Sequence, residues 1–62
     1  MFIVEAVENG VETYSEYDTR FEALEEVSKL RKEGASNISL SELRRIDYTD
    51  AEVDKMLEGV NV

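Results

Sequence analysis

The chain of 62 residues contains no cysteine, no histidine, no proline and no tryptophan. Without cysteine, disulfides cannot reinforce a small core, and without either cysteine or histidine the usual zinc ligands are missing. The same two absences remove the commonest general base and the thiol nucleophile. We therefore expect no catalytic residue, no metal site and no cofactor, and a hydrolase of ordinary type is disfavoured.

Long apolar runs are absent as well. None approaches the roughly 18 residues that a membrane-spanning helix needs, and the first residues lack the basic start and apolar core of a signal peptide. We expect no membrane association and a cytoplasmic location.

Basic residues are scarce, since 7 Lys and Arg stand against 15 Asp and Glu, and the net charge is -8. Such an excess of acid argues against direct binding to nucleic acid or anionic lipid. The first nineteen residues contain no base at all and carry acids at Glu5, Glu8, Glu12, Glu16 and Asp18. A partner of this region is expected to have a basic surface.

The clearest secondary-structure signal is a helix over residues 20–33. Thr19 and Glu22 have the spacing of a capping box, and Gly34 supplies the left-handed residue that often ends a helix. Apolar residues between them recur at helical spacing and predict one buried stripe. That stripe consists of Phe21, Ala23, Leu24, Val27 and Leu30.

Two strands, 2–8 and 11–17, precede the helix. Asn9 and Gly10 between them tolerate the positive φ of a two-residue hairpin turn. This turn pairs Phe2 with Tyr17 and Val4 with Ser15, and we expect that face to meet the helix. Because the first strand opens with three apolar residues, it is predicted to lie between two neighbours.

Two further elements follow the helix. Residues 37–45 alternate as a strand, and the break in alternation at Leu43 predicts a bulge near residues 41–42. The competing interpretation is a short helix that begins at Ser39. Residues 50–58 predict an amphipathic helix that Thr49 caps and Gly59 ends.

The predicted fold class is α+β with the element order ββαβα, in one small domain that spans 1–62. A three-stranded antiparallel sheet has the spatial order 2-1-3, the main helix packs on one face, and the short C-terminal helix follows. A chain this short buries only about 60% of its unfolded surface. We therefore expect it to associate with itself, as a homodimer.

The hairpin's other face is the main candidate for binding a partner. It combines Ile3, Val7 and Tyr14 with carboxylates around them, at Glu5, Glu12 and Glu16. An aromatic centre with a charged rim is typical of recognition surfaces, and ordinary exposure of a solvated sheet face is the other interpretation. A secondary candidate is Arg44, Arg45 and Tyr48, although arginines there could simply neutralise neighbouring acids.

Together with the hairpin before it, the segment EYDTRFEALEEVSKLRKEGASNISLSE, residues 16–42, resembles the small, acidic, cysteine-free proteins of bacteriophages, including short anti-defence proteins. The resemblance covers most of the chain and involves no diagnostic motif, so it assigns no functional residue. It implies binding to a host protein inside a bacterial cell. Some proteins of this kind act as dimers, and some imitate nucleic acid.

The leading hypothesis is a non-enzymatic protein-binding module, a homodimeric phage inhibitor of a host defence or nucleic-acid-processing protein. One alternative is an acidic mimic of nucleic acid that occupies a basic groove. The other is a small carboxylate enzyme built on the acids between residues 47 and 54, although acids at a helix N-terminus are favoured by the helix dipole alone.

Overall fold

The structure is a computed structural model that describes residues 1–43 and 46–60. Its elements are β1 (Phe2–Glu8), β2 (Val11–Tyr17), α1 (Arg20–Lys32), β3 (Ser36–Glu42), β4 (Ile46–Tyr48) and α2 (Asp50–Val60). The fold is α+β, as predicted, but its antiparallel sheet has four strands in the order β2-β1-β3-β4. The predicted order 2-1-3 is kept, and a strand that was not predicted extends it beyond β3.

The β1–β2 hairpin has the predicted bounds and turn. Asn9 (φ 51) and Gly10 (φ 78) both have left-handed backbone conformations, as the type I′ turn requires. The resulting register directs Val4 and Ala6 towards the helix, and both are buried. The predicted assignment of the two faces is therefore confirmed.

Hydrogen bonds at both ends define α1. The Thr19 hydroxyl accepts from the Glu22 N–H at 3.2 Å and donates to the Glu22 carboxylate at 3.0 Å. Gly34 (φ 81) follows the last turn, and the Ala35 N–H donates to the Leu30 carbonyl at 3.0 Å. This arrangement satisfies a carbonyl that the end of the helix would otherwise leave without a partner.

The buried stripe of α1 differs from the prediction at one residue. Ala23, Leu24, Val27 and Leu30 are buried, but Phe21 is 49% exposed. Each residue turns the helix by about 100°, so Phe21 lies about 120° around the axis from Val27. That angle removes Phe21 from the arc that faces the sheet.

The segment after α1 corrects the prediction of one strand over 37–45. β3 ends at Glu42 and the chain turns at Leu43, after which β4 runs antiparallel to β3. The competing short helix is also wrong. The break in alternation marks a reversal of the chain, and Arg44 and Arg45 lie outside the described residues.

The bulge lies at the start of β3 and not near residues 41–42. Between Glu5 and Val7 the register against β3 shifts, so that two steps along β1 match three along β3. Asn37 sits within this shift with φ 52. Asparagine is among the few non-glycine residues that tolerate such a conformation, and the extra residue fits there.

Helix α2 packs beside α1 and contributes Val53 to the core. An ion pair of 2.5 Å between Arg31 and Asp54 joins the two helices, but both side chains are exposed, so it contributes less than about 1 kcal/mol. α2 continues to Val60 through Gly59, which the prediction had placed at its end.

The core is formed by one face of the sheet and the two helices: Val4, Ala6, Ala23, Leu24, Val27, Leu30, Leu40 and Val53. In the described ranges, no helix is long and apolar enough to cross a membrane.

Candidate partner-binding surface

The sheet has one face without a helix in the described part of the chain, called here the outer face. Residues directly opposite each other on paired strands share a face, so the register identifies its members. They are Ile3, Glu5, Val7, Glu12, Tyr14, Glu16, Ser36, Ser39, Ser41 and Asp47. The six candidate residues predicted on the hairpin all lie on it, and Ser36, Ser39, Ser41 and Asp47 are additions from β3 and β4.

Charge is divided between the two layers of the molecule. Among residues 1–43 and 46–60, the outer face carries four carboxylates, those of Glu5, Glu12, Glu16 and Asp47, and no basic side chain. The basic residues of the described ranges all lie on helices: Arg20, Lys29, Arg31, Lys32 and Lys55. Because the helices flank the opposite side of the sheet, the described residues give the outer face a negative potential, which no base among them on that face offsets.

Tyr14 is the exposed aromatic residue of this face. Its side chain is 56% exposed and lies opposite Glu5 on β1. The Tyr14 hydroxyl donates a hydrogen bond of 2.6 Å to the Glu16 carboxylate. That hydrogen bond raises the pKa of Tyr14, with smaller contributions from desolvation and from the negative charges of Glu16 and Glu5. The ring is thus held along the strand, beside Glu16.

The apolar part of the outer face is smaller than predicted. Ile3 is only 9% exposed, and Val7 is half-buried. β1 is an inner strand, so Ile3 is flanked on both sides, by Glu16 on β2 and Ser41 on β3. Ile3 therefore exposes little apolar area on this face, and Tyr14 exposes more.

A shallow cavity of about 210 Å³ opens beside the bulge of β3. Its lining residues come from β1, β2 and β3: Glu5, Ala6, Glu12, Thr13, Asn37 and Ser39. Asn37 and Ser39 were not predicted as part of this surface. An asparagine near the start of a predicted strand was the available signal, because asparagine is depleted in strands and tolerates positive φ.

Of the three residues of the secondary candidate surface, the structure describes only Tyr48. Tyr48 lies opposite Leu40 and its half-buried side chain packs against the core, on the inner face of the sheet. Arg44 and Arg45, its proposed companions, lie outside the described residues.

The acids between residues 47 and 54 are separated by the fold. Asp47 belongs to the outer face, and Asp54 pairs with Arg31. Glu52 accepts the Thr49 N–H and hydroxyl, both at 3.0 Å, and these bonds lower its pKa. Across residues 1–43 and 46–60, no three acidic side chains are arranged to hold a metal ion.

Comparison with known proteins finds no matching family model, no matching curated protein and no matching solved structure.

Proposed function

We propose that this chain is a small, non-enzymatic protein-binding module whose outer face receives a basic surface of another protein. One observation carries the proposal. The sheet face that the helices leave open bears four carboxylates and the exposed Tyr14, while the described bases lie on the helical layer.

The arrangement around Tyr14 supports a recognition role. Along β2, Tyr14 is the outer-face residue between Glu12 and Glu16, and it lies opposite Glu5 on β1. Aromatic anchors with a polar rim concentrate binding energy in known interfaces, and complementary charge accelerates encounter. A lysine or arginine above Tyr14 would contact the ring and at least one carboxylate. The partner is therefore a protein with a basic patch.

A charge-reversal experiment tests this proposal. The chain is used as bait in a bacterial lysate, next to the variant Glu12→Lys/Glu16→Lys and the control Glu58→Lys, which reverses an exposed charge on α2. We expect proteins captured by the wild type to be lost with the double variant and kept with the control. Equal capture by wild type and double variant would contradict the use of this face.

Mapping the contact provides a second measurement on the wild type. When a captured protein is added to the labelled chain, amide chemical shifts should change most at Glu5, Tyr14 and Asp47. Shifts confined to α1 and α2 would place the interface on the helical layer and refute the proposal.

The expected homodimer stays a prediction. Two outer faces in contact would oppose four carboxylates to four, which is unfavourable at low ionic strength. Salt screens such repulsion, so a dimer formed through this face should be stronger in salt. Light scattering of the wild type and of Tyr14→Arg at two salt concentrations tests it, and a monomer in all four samples would refute the dimer.

The resemblance to phage proteins extends the proposal to a class of target. We propose a host defence protein or a nucleic-acid-processing protein, because such proteins carry basic surfaces that bind phosphate. Inhibition of a captured enzyme by the wild type, and not by Glu12→Lys/Glu16→Lys, is the expected result. Binding without inhibition would reject the inhibitor role and leave the binding role intact.

The second candidate function is imitation of nucleic acid. Four carboxylates and no described base lie on the outer face, which favours this function, since a basic groove that neutralises phosphates would also accept carboxylates. Affinity should then fall steeply with salt, and duplex DNA should compete with this chain for the partner. A partner that binds DNA and this chain at the same time would exclude mimicry.

A further inference from the structure

The outer edge of β2 is a strand edge seven residues long. β2 is the first strand of the sheet and pairs with β1 along its full length. Among the residues that the structure describes, no strand pairs with its other side. Such an edge presents backbone donors and acceptors that can pair with an added strand.

The hairpin turn determines which backbone groups point outward. In a hairpin with a two-residue turn, the flanking pair, here Glu8 and Val11, exchanges both hydrogen bonds, and such pairs then alternate along the ladder. The N–H and C=O groups of Glu12, Tyr14 and Glu16 therefore point away from β1. These are the three residues of β2 whose side chains lie on the outer face.

We infer that this edge receives an extended segment of the basic partner as an additional antiparallel strand. The inference rests on the proposed function and specifies how the partner binds. Residues of the added strand opposite Glu12 and Glu16 would project on the outer face, where lysine or arginine would meet a carboxylate. The residue opposite Tyr14 would lie on the same face, between the two bases.

The other face of the added strand has different requirements. Alternate residues would lie beside the inner-face side chains of β2, among which Val11 is 64% exposed. Apolar or small residues suit that side. The expected segment therefore alternates, with basic residues four positions apart on one face and apolar residues between them on the other.

The same side chains disfavour a second copy of this chain as the occupant. An antiparallel pair of β2 edges centred on Tyr14 would place Glu12 of each copy opposite Glu16 of the other. Like charges directly opposite each other destabilise a strand pair, and charged side chains are a common protection of free edges. The carboxylates thus oppose self-pairing and favour a basic strand.

Hydrogen exchange of the intact chain tests the inference. The probe is a synthetic peptide of about nine residues in which lysine alternates with valine, long enough to cover β2. Two control peptides have the same side chains. One has N-methyl groups on the backbone nitrogens of its lysines and the other on those of its valines, so that one of them loses the backbone donors to β2. We expect the first peptide to slow exchange at Glu12, Tyr14 and Glu16 by about tenfold or more at saturation.

The outcomes separate this inference from the proposed function. If the peptide binds and shifts Glu5 and Asp47 without protecting the three β2 amides, the outer face binds basic ligands and strand addition is refuted. If the two N-methylated versions protect the amides equally well, strand addition is also refuted. If the peptide does not bind at low salt, the inference fails, whereas capture of a folded partner still decides the proposed function.

A pair of variants provides an independent test. Glu16→Thr removes the carboxylate and keeps the outward N–H, whereas Glu16→Pro removes both. Proline is tolerated on an edge strand where the N–H faces solvent. We expect peptide affinity to fall about two- to fivefold in Glu16→Thr and a further two- to tenfold, roughly, in Glu16→Pro. Equal affinities of the two variants, with the fold of both verified by their amide spectra, would overturn the inference.

Discussion

The hydroxyl of Tyr14 donates to the carboxylate of Glu16, two residues along the same strand, across 2.6 Å. The bond joins the exposed aromatic ring of the outer face to one of its acids. The phenol acts as the donor in this bond, and the Glu16 carboxylate keeps its remaining acceptor capacity for a partner.

The first prediction concerns the titration of Tyr14. Its pKa is raised above 10.0, first because Glu16 accepts its proton in a hydrogen bond. The raised pKa means that the folded state holds this proton more tightly than the unfolded state does. The contribution of the Tyr14 hydrogen bond to stability is therefore lost as pH rises through the folded-state pKa. Glu16→Ala should move the titration towards 10.0. The measurement is the phenolate absorbance of each protein minus that of its Tyr14→Phe counterpart, and an unchanged midpoint would contradict the role of the bond.

The second prediction concerns acid stability at the start of α2. The backbone N–H of Thr49, followed by its hydroxyl, lowers the pKa of Glu52 below 4.5. A carboxylate whose pKa is lowered by folding stabilises the fold at pH values above its unfolded-state pKa. This contribution disappears as the pH falls through the folded-state pKa. Urea unfolding should therefore show a smaller loss of stability below pH 4.5 in Glu52→Gln than in the wild type. Parallel pH profiles for the two proteins would disprove the assignment.

The third prediction compares two glycines. An alanine Cβ meets no atom within 4 Å at either Gly34 or Gly59. Packing is therefore not affected, and the backbone conformation determines how each substitution changes stability. Gly34→Ala should destabilise by about 1 kcal/mol because φ there is left-handed. Gly59 lies within α2, so Gly59→Ala should stabilise the fold by about 0.5–1 kcal/mol. Denaturant midpoints of the two variants should move in opposite directions, and shifts of the same sign would refute this argument.

The fourth prediction concerns the bulge of β3. Asn37 has φ 52, which a β-branched residue adopts only with strain. Asn37→Val should cost about 1–3 kcal/mol, whereas Asn37→Gly should change stability by less than about 0.5 kcal/mol, since glycine tolerates this conformation. Urea unfolding distinguishes them, and a valine variant as stable as the wild type would indicate that the bulge is not required.

Local signals in the sequence predicted much of the fold. The turn residues Asn9 and Gly10 set the hairpin and its register, and the capping boxes at Thr19 and Thr49 placed the helix starts. The central position of β1 followed from its apolar run. Each signal acts within a few residues of itself, so it can be recognised without the rest of the chain.

The wrong predictions concern features that depend on residues distant in the sequence. The strand after Leu43 and the bulge at Asn37 depend on which strand pairs with which, because alternation alone does not distinguish a bulge from a reversal. The exposure of Phe21 depends on how α1 is rotated against the sheet, and the burial of Ile3 depends on neighbours from two other strands.

By itself, the sequence determined the acidic charge, the β1–β2 hairpin, the starts of both helices and the face of the hairpin that turns away from the core. Only the tertiary structure brought Asp47 to that face, turned Tyr48 into the core and left the edge of β2 without a neighbouring strand among the described residues. The physical reason is that local propensity acts through adjacent residues, whereas a binding face is assembled from strands that meet only after the chain has folded.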